Sequence, residues 1–249
     1  MKNRASFWFS GNLNDFLRKN QRNKLLLYPF NLAPAVKDAI EALGVPHPEV
    51  GLIYINNEPS DFNRPLQPHD LVEVFPAYPL ADLAATDSLL SILPTTPQFV
   101  LDVHLGKLAK ALRLFGFDTL YLNNYTDAAI ARLAEEQNRI VLTRDVGLLK
   151  HKIIKWGYWL RSQQPNQQLA EVIVNFGLSG YYQPLTRCLA CNGLIIEVAK
   201  ETVLAEIPPK TKIYFNQFFR CPSCRRVYWK GSHYDNMSAT VAKLFPAES

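Results

Sequence analysis

Four cysteines and three aspartates are the residues of this chain whose types and spacing point to chemistry. The cysteines are the only four in 249 residues, and they form two pairs, Cys188-Leu-Ala-Cys191 and Cys221-Pro-Ser-Cys224, with 29 residues between the pairs. A two-residue spacer bends the backbone back so that both sulfurs reach one metal, and two such pairs supply the four thiolates that a tetrahedral Zn²⁺ takes. Asn192-Gly193 follows the first pair and Pro222-Ser223 fills the second, and both are turn-forming. Two disulfides or a redox pair are the other uses of such cysteines, but two pairs with no leftover thiol favour zinc. Four sulfurs complete the coordination shell, so this metal is a staple and the chemistry lies elsewhere.

The aspartates supply that chemistry. Two apolar runs end on one: Phe99-Val100-Leu101-Asp102 and Ile140-Val141-Leu142-Thr143-Arg144-Asp145. A third, Asp127, opens an amphipathic stretch that follows the short run Thr119–Leu122. In a parallel α/β sheet, functional groups collect where strands end and helices begin. If the strands are neighbours, the three carboxylates share one rim, repel one another, and call for a cation. Hard oxygen ligands suit Mg²⁺ or Mn²⁺. Taken singly, each has a simpler role: Asp127 as a helix-dipole charge, Asp102 as a helix cap, Asp145 as a surface partner of Arg144 or Lys150. Asp118 precedes its strand and belongs to the opposite rim.

The elements that must position these residues fall into three units. Residues 1–78 read as strand (3–9), strand (25–28), helix (32–43, stopped by Gly44), strand (52–56) and strand (70–75), which is the β-grasp order. Residues 79–97, with Pro79, Pro94 and Pro97, read as a linker with one short helix around Leu83–Leu93. Residues 98–180 alternate strand and helix: strands at 99–101, 119–122, 139–143 and 157–161, and helices at 105–115, 127–138, 147–155 and 167–176. Repeated βα units imply a parallel sheet wrapped by helices. Residues 181–249 hold the cysteines and a C-terminal tail. The expected fold class is therefore α/β: a β-grasp domain, a central parallel sheet and a zinc ribbon.

Charge is uneven along the chain. Residues 1–80 carry eight basic and eight acidic residues, residues 99–180 ten and seven, and residues 181–249 nine and five. The positive excess lies in the last 150 residues and favours a polyanionic partner there. Lys107, on the helix after Asp102, and Arg144, beside Asp145, are placed to meet a phosphate; Arg113, two turns along the same helix, is either a further contact or structural. Lys150, Lys152, Arg225, Arg226, Lys230 and His233 are further candidates, the ribbon set being interleaved with Phe218, Phe219, Tyr228 and Trp229. Basic surfaces carrying aromatics hold single-stranded nucleic acid by phosphate contact and base stacking, while about half of these ribbon aromatics are expected to form the small core of the metal-stapled unit instead. No apolar run is long enough to span a bilayer and the N-terminus has no signal-peptide pattern, so the expected compartment is the cytoplasm, where thiols stay reduced.

The segment from Phe99 to Thr119, the stretch Arg139-Ile140-Val141-Leu142-Thr143-Arg144-Asp145 and the ending Cys221-Pro222-Ser223-Cys224-Arg225-Arg226-Val227-Tyr228-Trp229-Lys230-Gly231-Ser232-His233 together resemble the Mut-seven C-terminal RNase domain, a PIN-like nuclease family. The resemblance covers about residues 98–237. It implies a PIN-like acidic centre whose positions fall on Asp102, Asp127 and Asp145, a divalent cation, an RNA substrate and a product with a 5′-phosphate and a 3′-hydroxyl. Where PIN nucleases often carry a fourth acidic residue, this chain has Val146-Gly147. The preceding β-grasp unit resembles the ubiquitin-like module often fused to this family. Its closing stretch, Pro65-Leu66-Gln67-Pro68-His69-Asp70-Leu71-Val72-Glu73-Val74-Phe75-Pro76, also resembles the end of sulfur carriers, but Ala77-Tyr78-Pro79-Leu80 replaces their Gly-Gly tail, so a protein-contact role is expected instead. The expectation is a Mg²⁺- or Mn²⁺-dependent endoribonuclease stapled by zinc. The alternative is a non-catalytic RNA- or ribosome-binding module, and the class of RNA (tRNA, rRNA or mRNA) is left open.

Overall fold

A computed structural model describes residues 3–79, 89, 97–231 and 234. The expected linker helix near Leu83–Leu93 and His233 lie outside the described residues. In the N-terminal unit, strand β1 (Asn3–Phe9) pairs antiparallel with β2 (Leu26–Phe30) and parallel with β5 (Leu71–Pro76). Strand β3 (Val50–Ile55) joins β5, and the short β4 (Glu58–Pro59) closes the order β2-β1-β5-β3-β4. Alternation in β1 buries Ala5, Phe7 and Phe9 and turns Trp8 outward. The buried set meets Val36, Ala39 and Ile40 of helix α1 (Val36–Leu43), completing the β-grasp. Asn56 and Asn57 take φ of 54° and 68°, so the turn between β3 and β4 is a left-handed pair. Helix α1 starts four residues later than its apolar spacing suggests. Pro34 disfavours helical backbone at Ala33, and Ala35 bridges Pro65 before the helix begins.

The central unit is a four-stranded parallel sheet, order β7-β6-β8-β9, made of β6 (Phe99–Leu101), β7 (Thr119–Leu120), β8 (Ile140–Thr143) and β9 (Gly157–Trp159). β6 and β8 are buried throughout, as an inner parallel strand must be. Phe99, Leu101, Ile140 and Leu142 face helices α2 (Gly106–Leu114) and α5 (Pro165–Asn175). Val100 and Val141 face α3 (Asp127–Glu136) and α4 (Val146–Leu149). Three elements are shorter than their sequence patterns: the strand expected at 119–122 ends at Leu120, the one at 157–161 ends at Trp159, and the helix expected at 147–155 stops at Leu149. The chain after Leu149 turns at once into β9, with the His151 and Ile154 amides bonded to the carbonyls of Leu148 and His151.

The third unit is a small antiparallel sheet of β10 (Ile196–Val198), β11 (Phe218–Arg220) and β12 (Val227–Trp229), with helix α6 (Pro209–Tyr214) before β11. Its core is Val203, Ile207 and fully buried Phe218, so this aromatic is structural. Among the described residues, no helix is long and apolar enough to cross a membrane.

The first two units are docked. Tyr78, just past β5, is buried against Tyr158 and Phe176 at ring separations of 5.2 and 4.8 Å. Fully buried Glu49 accepts hydrogen bonds from the Trp159 amide (2.5 Å) and Arg161 Nη2 (3.2 Å), and Asp15 meets Arg161 Nε at 3.2 Å. The two halves of the Glu49–Arg161 pair pull differently. Burial pushes Glu49 up to about 7, against the opposing pull of Arg161 and the Trp159 amide. Burial pulls Arg161 down, but Glu49 and its other neighbours more than reverse this, so the guanidinium stays charged and the carboxyl is the half that titrates.

The sign of the resulting pH dependence follows. Between the ordinary 4.5 and about 7 the folded chain holds a proton on Glu49 that the unfolded chain releases. This contribution to stability is complete below the unfolded value and is lost as pH rises through the folded one. Urea titrations from pH 4.5 to 8 should therefore show a decline on the order of 3 kcal/mol in the parent that Glu49→Gln lacks. Parallel profiles for the two proteins would contradict it.

Candidate functional site

Asp102 follows Leu101, the last residue of β6, and Thr143 follows Leu142, its register partner on β8; the Asp102 amide donates to the Leu142 carbonyl at 3.1 Å. The Thr143 hydroxyl donates to Asp102 Oδ2 at 2.9 Å and accepts the Asp145 amide at 2.8 Å. One hydroxyl thus ties the two strand-end aspartates together. Asp102 is buried, and among the described residues the Thr143 hydroxyl is the one side-chain partner of its carboxylate and it forms no ion pair. Asp145 is exposed and caps α4, its Oδ1 accepting the Gly147 amide at 2.7 Å. Asp127 is exposed in the first turn of α3, whose N-cap is Thr126, its hydroxyl accepting the Ala129 amide at 3.2 Å. Among the described residues, the one set of three or more potential ligands gathered within 4.8 Å is the cysteine set, and the three aspartates are not drawn together to that spacing. Carboxylates repel one another without a cation between them, which favours the exposed pair resting in water.

Beside this rim lies a cleft of about 820 Å³ between α2, the start of α5 and the residues Leu189-Ala190. His104, Lys107, Lys110 and Arg144 line it, and no acidic side chain among the described residues does. The N-terminal turn of α5, which begins with Pro165 and has no side-chain cap, closes one side. Gly106 lets α2 pass Tyr121, since a Cβ there would lie 2.7 Å from the tyrosine oxygen, which itself donates to the Val103 carbonyl. Lys110 also borders a second cavity of about 640 Å³ and a third of about 810 Å³ that reaches Arg225, Arg226, Tyr228 and Trp229 on the ribbon. The result is a basic trough running from the aspartate rim to the ribbon, a shape and charge suited to a polyanionic strand.

Two cations expected to grip RNA have other duties. Arg113 is buried, and its guanidinium donates to the carbonyls of Thr119 (2.9 Å), Leu189 (3.1 Å), Ala190 (3.0 Å) and Tyr121 (3.4 Å). It clamps the first cysteine loop to the central unit, with four of its five N–H groups given to carbonyls even though it borders the cleft. Lys150 Nζ donates to the Glu41 carbonyl across the domain contact at 2.7 Å. Lys152 is exposed but does not line the trough, and the Lys230 ammonium sits 5.9 Å from the Tyr234 ring centre. Sequence reasoning passed over His104 and Lys110, whose signal was their place in the first turns after Asp102.

The four cysteine sulfurs meet the geometry of a tetrahedral site. Cys188 and Cys224, and Cys191 and Cys221, are each 3.4 Å apart, too long for a disulfide and close to the ~3.8 Å edge of a ZnS₄ tetrahedron. The two loops repeat one turn. The Asn192 amide donates to the Cys188 carbonyl (2.9 Å) and the Arg225 amide to the Cys221 carbonyl (2.8 Å), and Asn192 and Arg225 both take left-handed φ, 67° and 65°. Burial alone would raise the Cys188 thiol, but hydrogen bonds from Tyr228 and the Cys191 and Ala190 amides bring it down to about 6, favouring the thiolate. A side chain on Gly193 would lie 3.2 to 3.5 Å from Ser223 Oγ and the sulfurs of Cys221 and Cys191.

Asp118 stands at the opposite rim, as its sequence position indicates, and ties ribbon to sheet. It receives Arg139 (2.6 Å), Asn192 (2.8 Å) and Arg187 (3.1 Å). Burial pushes its carboxyl up, but bonds from Arg139 and Asn192 and the charges of Arg139 and Arg187 outweigh this and hold it below the usual range.

The left-handed Arg225 yields a prediction with two signs. An L side chain there costs about 1 kcal/mol, so Arg225→Gly should stabilise the ribbon by that amount in thermal melts of the zinc-loaded protein. The same change removes a trough cation and should weaken RNA binding severalfold in fluorescence anisotropy at low salt. A ribbon destabilised by glycine would contradict the strain argument.

A family profile described as Mut7-C RNAse domain matches residues 97–241, and one described as Mut7-C ubiquitin matches residues 2–81. The chain has no significant match among curated proteins or among solved structures. The apolar strands ending on Asp102 and Asp145, the cysteine set beyond them and the β-grasp unit ahead are the features these two matches span: the chain belongs to the Mut7-C RNAse family and carries that family's ubiquitin domain at its front.

Proposed function

We propose that this protein is a metal-dependent endoribonuclease that hydrolyses RNA phosphodiesters at the rim formed by Asp102, Asp127 and Asp145. The family supports a nuclease-like, RNA-related function. The observation that carries the finer reading is Asp102: a buried carboxylate held by one hydroxyl, with no ion pair among the described residues, at the edge of a cleft lined with cations. A buried anion without a counter-charge is costly, and a divalent cation is the partner that its chemistry fits. Asp102, Asp127 and Asp145 would hold Mg²⁺ or Mn²⁺, which would supply a water of lowered pKa and charge neutralisation for the phosphate. Thr143 fixes the Asp102 carboxylate and the Asp145 backbone. Lys107, Lys110 and Arg144 draw the strand into the cleft, and Arg144 steadies the phosphate beside Asp145. Arg225 and Arg226 continue the grip on the ribbon, where Tyr228 and Trp229 offer ring faces to bases.

The ubiquitin-like domain has a protein-contact role, of which the contact with the chain's own central sheet is one use. The compartment is the cytoplasm, where reduced thiols are available to zinc. The test is cleavage of an end-labelled single-stranded oligoribonucleotide by the zinc-loaded protein with Mn²⁺, Mg²⁺ or EDTA. The expected result is metal-dependent products bearing 5′-phosphates. Binding without cleavage under every metal would instead support the non-catalytic RNA-binding module. That alternative draws on the aspartates being spread beyond a shared ligand spacing.

A further inference from the structure

The contact between the ubiquitin-like domain and the sheet ends at the proposed site. Trp159 closes β9, and its register neighbour on β8 is Thr143. Its indole Nε1 donates to the Arg144 carbonyl at 3.1 Å. That carbonyl belongs to the turn that carries the Arg144 side chain to the cleft and Asp145 to the rim. Trp159 is itself seated from the other domain. Glu49 accepts its backbone amide at 2.5 Å, Phe16 packs on its ring at 5.2 Å, and the Arg161 guanidinium, paired with Glu49 and Asp15, lies 5.5 Å from its ring centre. Two more bonds fix the same approach. His47 Nε2 meets the Ile154 carbonyl at 2.7 Å, and Lys150 reaches the Glu41 carbonyl.

We propose that the ubiquitin-like domain is a fixed buttress behind the site, with Glu49 and Phe16 seating Trp159 and Trp159 holding the turn of Arg144 and Asp145; Glu49 and Trp159 are positioning residues. The inference rests on the nuclease reading for its functional consequence but not for its structural one. A turn with two exposed side chains, tied on one side to Thr143 and Gly147, needs an anchor on the other, and the indole N–H supplies it. The domain therefore acts inside the chain, as part of the site's own support.

The test uses the full-length, zinc-loaded protein. Trp159→Phe keeps an aromatic ring against Phe16 and removes the N–H donor together with part of the ring area. Hydrogen exchange at the Asp145 and Gly147 amides should quicken about tenfold, the size of one hydrogen bond, while the amides of β3 and β6 keep their protection. Cleavage should lose about tenfold in kcat with KM for the oligoribonucleotide within twofold, because Lys107, Lys110, Arg225 and Arg226 still line the trough. Glu49→Gln, which keeps an acceptor for the Trp159 amide, should retain most of the protection that Glu49→Ala loses. Unchanged exchange at Asp145 and Gly147 in Trp159→Phe overturns the proposal. Should the parent cleave nothing, the nuclease reading falls and exchange alone carries or overturns the relay.

Discussion

Removing zinc with a strong chelator, or replacing Cys221 by Ser, should unfold the ribbon and weaken the sheet beside it. Structural zinc sites of this kind supply roughly 10–16 kcal/mol of folding free energy, and the ribbon's own core is only Val203, Ile207 and Phe218 with a few partly buried neighbours. So small a core cannot hold three short strands without the metal. The damage should spread because the first cysteine loop is wired into the central unit. Asn192, next to Cys191, accepts the buried Thr119 amide at 2.9 Å and donates to Asp118. The Arg113 guanidinium depends on the Leu189 and Ala190 carbonyls between the cysteines. Disordering that loop leaves a buried guanidinium short of acceptors, at a cost of about 3 kcal/mol or more. The measurements are metal analysis, expected to give one zinc per chain, and thermal unfolding of zinc-loaded and stripped protein. The stripped chain should lose both the ribbon's protected amides and several degrees of stability in the sheet. Full protection of β11 and β12 after complete zinc removal would show that the cysteines hold nothing together.

The cysteine site was legible in the sequence because metal ligation is written in local spacing, and each loop is a self-contained turn. The strand-end aspartates were legible for a related reason. A run such as Phe99-Val100-Leu101 or Ile140-Val141-Leu142 is apolar on both faces only if buried in a parallel sheet, so the polar residue that ends it must sit at the rim. That β6 and β8 are neighbours is a tertiary fact that the pattern suggests but does not contain. Arg113 shows where local reasoning stops. It follows Leu112 on α2 and looks like a boundary cation; its burial comes from a loop 76 residues away docking on it. Lys150 looks like part of a basic cluster with Lys152 and Lys155 until the ubiquitin-like domain brings Glu41 to it. Glu49 and Trp159 carry no motif at all, since their partnership exists only once two separately folded units meet. The late start of α1 was readable in hindsight from Pro34, which the apolar periodicity of Val36, Ala39 and Ile40 obscured.

Asp102→Asn should abolish metal-dependent cleavage, by about a thousandfold or more, while leaving the fold intact. The substitution is nearly isosteric and its side-chain oxygen can still accept the Thr143 hydroxyl, so the hydrogen bond across β6 and β8 survives. What is lost is the negative charge, and with it the attraction for a divalent ion worth several kcal/mol at a phosphoryl centre. Asp145→Asn should act similarly, with less effect on the turn because its cap to Gly147 needs only an oxygen. Thr143→Val separates position from charge. It keeps both carboxylates but strands Asp102 Oδ2 and the Asp145 amide, which share the missing hydroxyl. The buried Asp102 acceptor left unpaired costs about 1–3 kcal/mol and the partly exposed Asp145 amide less, so this variant should be less stable than Asp102→Asn yet keep more activity, with a raised metal requirement. Rates on a labelled oligoribonucleotide over a Mn²⁺ titration, beside urea melts of each variant, would show the ordering. Parental cleavage by Asp102→Asn would remove this carboxylate from the reaction. A Thr143→Val protein as inactive as Asp102→Asn at saturating metal would mean that carboxylate placement, rather than carboxylate charge, limits the site.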